Sequence, residues 1–313
     1  MNNIYLVTGA SGFVGSNIVR RLVKDGKKVH ILTRNKKLNS RFSDISSKIT
    51  IHEVDLGSPN LLEITDKIKP AYIFHLAVYG SLPNEKDIND LIDTNLLGTM
   101  NLINALKQNK FKLMINTGSS SEYGIKKDPM RESDILVPIN DYGVIKAATT
   151  MFSYKEAVRN NLPIITFRLF SPYGAYEEAS RLIPSVILGA LKNNPIQMGN
   201  KQSVRDFTFV GDVVDAYLLA CSLKFNPGEI FNIATGRQHK VSEVVEKIIK
   251  LTHSKSKIKW GTKAKQERQI EPNKWEADVK KSKKVLNWKP KHSLEQGLGK
   301  TIDWFSKNIN LYE

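Results

Sequence analysis

Cysteine is almost absent from this chain: Cys221 is the single thiol among 313 residues. A disulfide framework within the chain is therefore excluded, and a reducing compartment is the natural setting. The surrounding "LLACSLK" reads as the apolar face of a helix, where a buried, inert thiol is expected. Long apolar runs are missing too, with nothing near the roughly 18 residues that a membrane-spanning helix needs. A first strand opens within three residues of Met1 in "MNNIYLVTGASGFVG", leaving no room for a charged and hydrophobic leader. These absences predict a soluble, cytoplasmic protein. Acidic residues are in short supply, 31 against 47 Lys plus Arg, giving a formal net charge of +16. Such an excess can serve nucleic acid, an anionic membrane or an anionic small substrate. About half of it lies in residues 251–313, which hold 15 Lys or Arg and 7 Asp or Glu, mostly as lysines in helix-like stretches such as "ADVKKSKKVLNWKP". Aromatics are not interleaved with these lysines as they are on a base-stacking surface, so nucleic acid and membrane are not expected partners. A solvated lysine face and a basic cleft for an anionic substrate both remain open.

What is present reads as a globular α/β enzyme, with 41% apolar and 25% charged residues. Apolar runs "NIYLVTGA", "KVHILTR", "ITIHEVDL", "YIFHLAV", "FKLMINTG", "PIITFRLF" and "GEIFNIATG" are the predicted strands. Helical patterns separate the earlier ones, in "GSNIVRRLVKDG" and near residues 59–69, 86–108 and 143–160. Continuous apolar strands alternating with helices predict a doubly wound parallel Rossmann sheet covered on both faces. Beyond residue 170 the rhythm breaks at the turn-rich "SPYGAYEEASRLIP". The expected organisation is a dinucleotide-binding domain of residues 1–171 plus about 204–239, and a smaller irregular α/β lobe of 172–203 and 240–313. That lobe would cover the carboxyl ends of the strands, where this architecture binds ligands.

"VTGASGFVG" places Gly9, Gly12 and Gly15 between the first strand and the first helix, with Ser11, Phe13 and Val14 completing the turn. Glycine there lets a pyrophosphate approach the backbone at the positive end of the helix. In an NAD-preferring sheet a carboxylate ends the second strand and bonds the adenosine ribose. Here the strand ends "ILTRNKK". Arg34, assisted by Ser11, Asn35 or Lys36, could instead hold a 2′-phosphate, which favours NADP(H) while leaving NAD(H) possible. Asp55 and Leu56, after the third strand, are placed to meet the adenine.

"NDYGVIKA" sets Tyr142 and Lys146 four apart at the start of a helix, on one face. A nearby ammonium lowers the pKa of a phenol, so this pair is expected to exchange a proton with a sugar or alcohol hydroxyl while a nicotinamide exchanges a hydride. No metal is expected.

The chain resembles the extended short-chain dehydrogenase/reductases, in the nucleotide-sugar branch of the NAD(P)-dependent epimerase/dehydratase family. The resemblance is carried in order by "GASGFVG", "HLAVYGS", "NLLGTMNLINAL", "SSSEYG", "DYGVIK", "RLFSPYG", "RDFTFVGDVVDA" and "WKPKHSLEQGLGKTIDW". It implies that Tyr142 is the catalytic acid/base, that Lys146 holds the nicotinamide ribose, and that Leu76 and Ala77 border the cofactor. The serine that bonds the reacting oxygen falls in "GSSSEYG": counting back from Gly124 selects Ser119, whereas aligning Glu122 with the acidic residue of dehydratase relatives selects Ser120. Arg205, Arg268 and Arg181 would grip a nucleotide diphosphate, and Ser171 stands where the family usually has asparagine. Dehydratases of the branch carry an Asp-Glu pair in the serine motif; this chain lacks it, which disfavours that reaction. The resemblance thus implies an oxidoreductase acting on a nucleoside-diphosphate sugar, in the first place an NADPH-dependent reductase of a 4-keto-6-deoxy sugar. An NAD-dependent 4-epimerase is the alternative, and a catalytically silent dinucleotide- or RNA-binding module a distant third. A homodimer pairing the helices near residues 88–108 and 143–160 is also implied.

Overall fold

The computed structural model describes residues 3–34, 40–82, 85, 87–261 and 273–312. Seven strands form the central sheet: β1 (Ile4–Thr8), β2 (Lys28–Thr33), β3 (Ile49–Glu53), β4 (Tyr72–His75), β5 (Leu113–Ser119), β6 (Ile164–Leu169) and β7 (Ile230–Ile233). All their pairings are parallel, and the order across the sheet is β7-β6-β5-β4-β1-β2-β3. The chain builds outward from β1 to β3, then returns to β4 on the other flank. This reversal opens a crevice at the carboxyl ends of β1 and β4.

The helices are α1 (Phe13–Lys24), α2 (Leu61–Ile68), α3 (Ile88–Leu91), α4 (Gly98–Leu106), α5 (Asp141–Asn160), α6 (Leu182–Leu191), α7 (Val210–Ala220), α8 (Val241–Thr252), α9 (Lys280–Lys284) and α10 (Leu294–Lys307). Strand side chains alternate between two apolar layers because successive residues face opposite sides of the sheet. Tyr5 and Val7 pack with Ile18 and Leu22 of α1 and Val213 and Tyr217 of α7. Leu6, between them in sequence, packs on the other face with Leu102 and Leu106 of α4 and Leu61 of α2. Coverage of both faces is why the inner strands read as unbroken apolar runs, whereas β3, at the edge of the sheet, is only partly buried. A further core joins α6, α8 and α10 through Ile187, Val244, Leu298 and Phe305. Leu286 and Trp288, although late in the chain, belong to the layer of α1 and α7.

The expected helix over 86–108 is interrupted. A π-helical turn, Ile92–Leu97, separates α3 from α4. Its Asn95 is buried, accepts from the backbone N–H of Tyr79 at 2.8 Å and donates to the Tyr79 carbonyl at 2.9 Å. The turn thereby ties the segment after β4 to the helix layer, a use typical of π-turns near functional sites.

Candidate active site

One cavity of about 1750 Å³ lies along the carboxyl ends of β1 to β6. Single-ligand pockets span roughly 300–1,000 Å³, so this one has space for two sizeable ligands together. Gly9, Ser11, Gly12, Phe13, Val14, Gly15, Arg34, Asp55, Leu56, Leu76 and Ala77, all expected at the cofactor end, line it. Gly9 has φ +62°, and a Cβ there would lie 2.4 Å from the backbone of Leu76. A Cβ on Gly15 would lie 2.2 Å from the Gly9 carbonyl oxygen, so helix and strand can meet this closely only as glycine. Gly12 caps α1 with no side-chain hydrogen bond, and no acidic residue occupies the first turn. The positive helix end is left open to the cavity, as a phosphate-binding turn requires. These residues fit a dinucleotide. Asp55 accepts from the Gly57 N–H at 2.7 Å, while Arg34 is exposed at the end of β2. Asn35 and Lys36 lie outside the described residues.

Tyr142, Lys146, Ser119 and Ser120 converge on the same cavity. Asn140 caps α5 by accepting from the Gly143 N–H at 2.7 Å, which aims the first turn of the helix at the end of β5. Ser119 ends β5, and its hydroxyl accepts from the Ser121 N–H at 3.1 Å. Ser120 is buried and its hydroxyl accepts from Nε1 of Trp275 at 3.2 Å.

The phenol departs from expectation. Burial pushes the Tyr142 pKa up to about 12; the Ser119 hydrogen bond and Arg181 pull it back, while Glu122 and Glu85 add to the rise. Lys146 is 5% exposed, its Nζ donates to the Thr117 carbonyl, and burial brings its own pKa down to about 8 against the pull of Glu122. The shared helical face was legible from the spacing, but the depth of the amine was not.

Glu122 is fully buried, with Oε2 2.7 Å from Nε of Arg168 and Oε1 accepting from the Ser119 N–H at 2.8 Å. This carboxylate is committed to holding the serine turn. Arg181 and Arg205 both line the cavity. Arg181 donates to the Ser81 carbonyl at 2.8 Å, and the Arg205 guanidinium stands 5.5 Å from the centre of the Trp275 ring. Ser171, at φ +29°, lines it as well. Arg268 falls outside the described residues.

Sequence reasoning missed the segment that covers the cofactor end. The Ala175 carbonyl accepts from Asn17 of α1 at 2.8 Å, and the Arg20 guanidinium lies 5.1 Å from the Tyr176 ring. Arg41 pairs with Glu178 at 2.5 Å and donates to the Ser11 carbonyl at 2.6 Å. Residues 175–178 are thus strapped over α1 and the glycine turn. The "YEE" of "GAYEEASR" was the available signal, since two adjacent carboxylates in a turn call for cationic partners. Cys221, at the end of α7, is half-buried and donates to the Tyr217 carbonyl at 3.5 Å, and burial raises its thiol to about 12, so it is inert.

A doubly wound sheet with an open glycine turn beside a Ser-Tyr-Lys cluster defines a dinucleotide-dependent enzyme. The chain belongs to the NAD dependent epimerase/dehydratase family, whose profile matches residues 5–234. A UDP-N-acetyl-alpha-D-glucosaminuronate decarboxylase from Bacillus cytotoxicus is 31% identical over 97% of this chain and 98% of its own length. A UDP-glucuronate 4-epimerase from Thermodesulfobacterium geofontis is 28% identical over 98% of this chain and 97% of its own. Among solved structures, MoeE5 in complex with UDP-glucuronic acid and NAD superposes with a TM-score of 0.87 at 29% identity, covering 98% of this chain and 100% of that one. No helix among the described residues is long and apolar enough to cross a membrane.

Proposed function

We propose that this protein is a nucleoside-diphosphate-sugar 4-epimerase that keeps its NAD(H) bound through the catalytic cycle, with a UDP-uronic sugar as the favoured substrate class. The strap over the glycine turn carries this reading, because the Arg41–Glu178 pair and the Asn17–Ala175 bond hold residues 175–178 against the cofactor end and would hinder the exit of a bound dinucleotide. An epimerase uses its cofactor without net consumption and gains from retaining it; a reductase must exchange it every turnover. The relatives named above support the choice, since one is a 4-epimerase and the solved structure holds UDP-glucuronic acid with NAD.

The bound dinucleotide would supply the hydride acceptor and donor at C4 of the sugar. Tyr142 would take the C4 hydroxyl proton as that carbon is oxidised and return it when the opposite configuration forms. Ser119 would hold the reacting oxygen beside the phenol. Lys146, charged at neutral pH, would hold the ribose and favour the phenolate as it swings from Thr117, which offsets the burial that now raises the phenol. Arg181 and Arg205 would take the diphosphate. Glu122, locked by Arg168 and the Ser119 N–H, has no free oxygen for the acid/base work of a dehydratase.

Arg34 supports the second reading, an NADPH-dependent 4-keto reductase, because it borders the cavity at the end of a strand that lacks the usual carboxylate. Purified protein should release NAD(H) on denaturation and convert UDP-glucuronic acid to its C4 epimer with no lasting change at the reduced-nicotinamide band. Steady NADPH oxidation with a keto sugar would favour the reductase instead, and release of carbon dioxide would mark a decarboxylase. Tyr142→Phe should lower turnover by about 10²–10⁴-fold while leaving the bound NAD(H) in place. An unchanged rate would remove the phenol from the mechanism.

A further inference from the structure

The strap carries two adjacent carboxylates in opposite surroundings. Glu178 is half-exposed and paired with Arg41. Glu177 is 4% exposed and lines the cavity, and its Oε2 is buried with no hydrogen-bond partner among the described residues. Its Oε1 is 3.7 Å from Nε of Arg181, too far for a good hydrogen bond. The backbone leaves the residue little freedom: its N–H donates to the Gly174 carbonyl at 3.3 Å, and its carbonyl accepts from the Tyr312 hydroxyl at 2.9 Å. A buried carboxyl oxygen held rigidly beside a ligand cavity finds its partner on the ligand.

We propose that Glu177, in its neutral form, donates a hydrogen bond from Oε2 to a phosphoryl oxygen of a bound diphosphate. Its place in the cleft selects that chemistry. On one side the strap rests against α1 through Asn17, close to the glycine turn that forms the phosphate-binding end of the cofactor site; on the other, four residues on, stands Arg181. Both flanks attract anions, and between them a neutral acid adds a donor where a carboxylate would repel. Burial raises the Glu177 carboxyl to about 8, with Arg181 opposing the rise and Glu178 adding to it. The other titratable groups facing it are the hydroxyls of Tyr173 and Tyr312. The proposal rests on the reading above that the cleft takes a dinucleotide and a nucleotide sugar, either of which brings a diphosphate.

Calorimetric titrations with UDP on the protein as purified and with NAD on protein stripped of its bound dinucleotide, run separately between pH 7 and 9 on the wild type and on Glu177→Gln, distinguish the two sources. Lys146 loses charge in the same range in both proteins, so the difference between their profiles is the quantity to read. Wild-type affinity for one ligand should fall about tenfold more than that of the variant, as expected for a group titrating near pH 8. A fall confined to NAD assigns the bond to the cofactor, and one confined to UDP assigns it to the substrate. Glu177→Leu, which neither titrates nor donates, should bind the same ligand more weakly at pH 7 and add no slope. Parallel profiles with binding intact would overturn the role of Glu177 and leave the function standing, whereas failure of both ligands to bind would overturn both.

Discussion

Arg168 and Glu122 face each other in the interior, 2% and 0% exposed as side chains, with Glu122 accepting from the Ser119 N–H. Removing one member of such a pair strands the other charge in the interior. Arg168→Met should therefore cost about 3–5 kcal/mol in denaturant unfolding, and Glu122→Gln in the same background should recover part of it. His30 is a second buried titrating group, with Nδ1 2.9 Å from Nε2 of His52, and Lys28 nearby. Burial, then His52 and Lys28, lowers its pKa from 6.5 to about 4, so the folded protein holds it neutral. The associated stability is complete above pH 6.5 and is lost as pH falls toward 4, by about 3 kcal/mol. Melting curves from pH 7 to 4 should therefore decline more steeply for the wild type than for His30→Leu; equal slopes would exclude this origin of acid sensitivity. The sequence made Tyr142, Lys146 and the three glycines legible because short spacings carry their geometry. Glu177 and Trp275 line the cleft and Arg41 bonds the Ser11 carbonyl at its glycine turn, each from a separate segment that only folding brings together.

At the scale of elements, the seven strands of the central sheet were legible as apolar runs, most of them because both faces are buried, whereas the short strands Ile196–Met198 and Ile258–Trp260 left no such run. The π-helical turn Ile92–Leu97 was hidden, since its cause is the fit of Asn95 to the Tyr79 backbone and no local spacing records that. The strap was hidden for a similar reason: Arg41 is separated from Glu178 by 137 residues. Its effect is kinetic and testable. In Arg41→Ala, bound NAD(H) should exchange with added cofactor at least several-fold faster than in the wild type, measured by displacement with a fluorescent analogue. An unaltered exchange rate would separate the strap from cofactor retention and weaken the case for an epimerase.

For the molecule as a whole, α5 leaves an apolar stripe of Val144, Met151, Tyr154 and Val158 exposed, with Met151 at 64%. Leu97, in the neighbouring π-turn, is exposed as well. We propose that this face pairs with that of a second copy, as the resemblance implied. Light scattering should give a dimer for the wild type and a monomer for Met151→Glu, and a monomeric wild type at micromolar concentration would exclude the pairing. Leu286 and Trp288, from the segment expected in the smaller lobe, are seated in the larger core.

The cavity draws its walls from the ends of six strands that are adjacent in space but spread over some 160 residues of chain, from Thr8 to Leu169. An intermediate in which the half-sheet of β4 to β6 has yet to dock on β1 would have a glycine turn with nothing opposite it. Nucleotide would recognise only the finished protein, so added ligand should slow unfolding without hastening refolding, and its capture would time the last step of assembly.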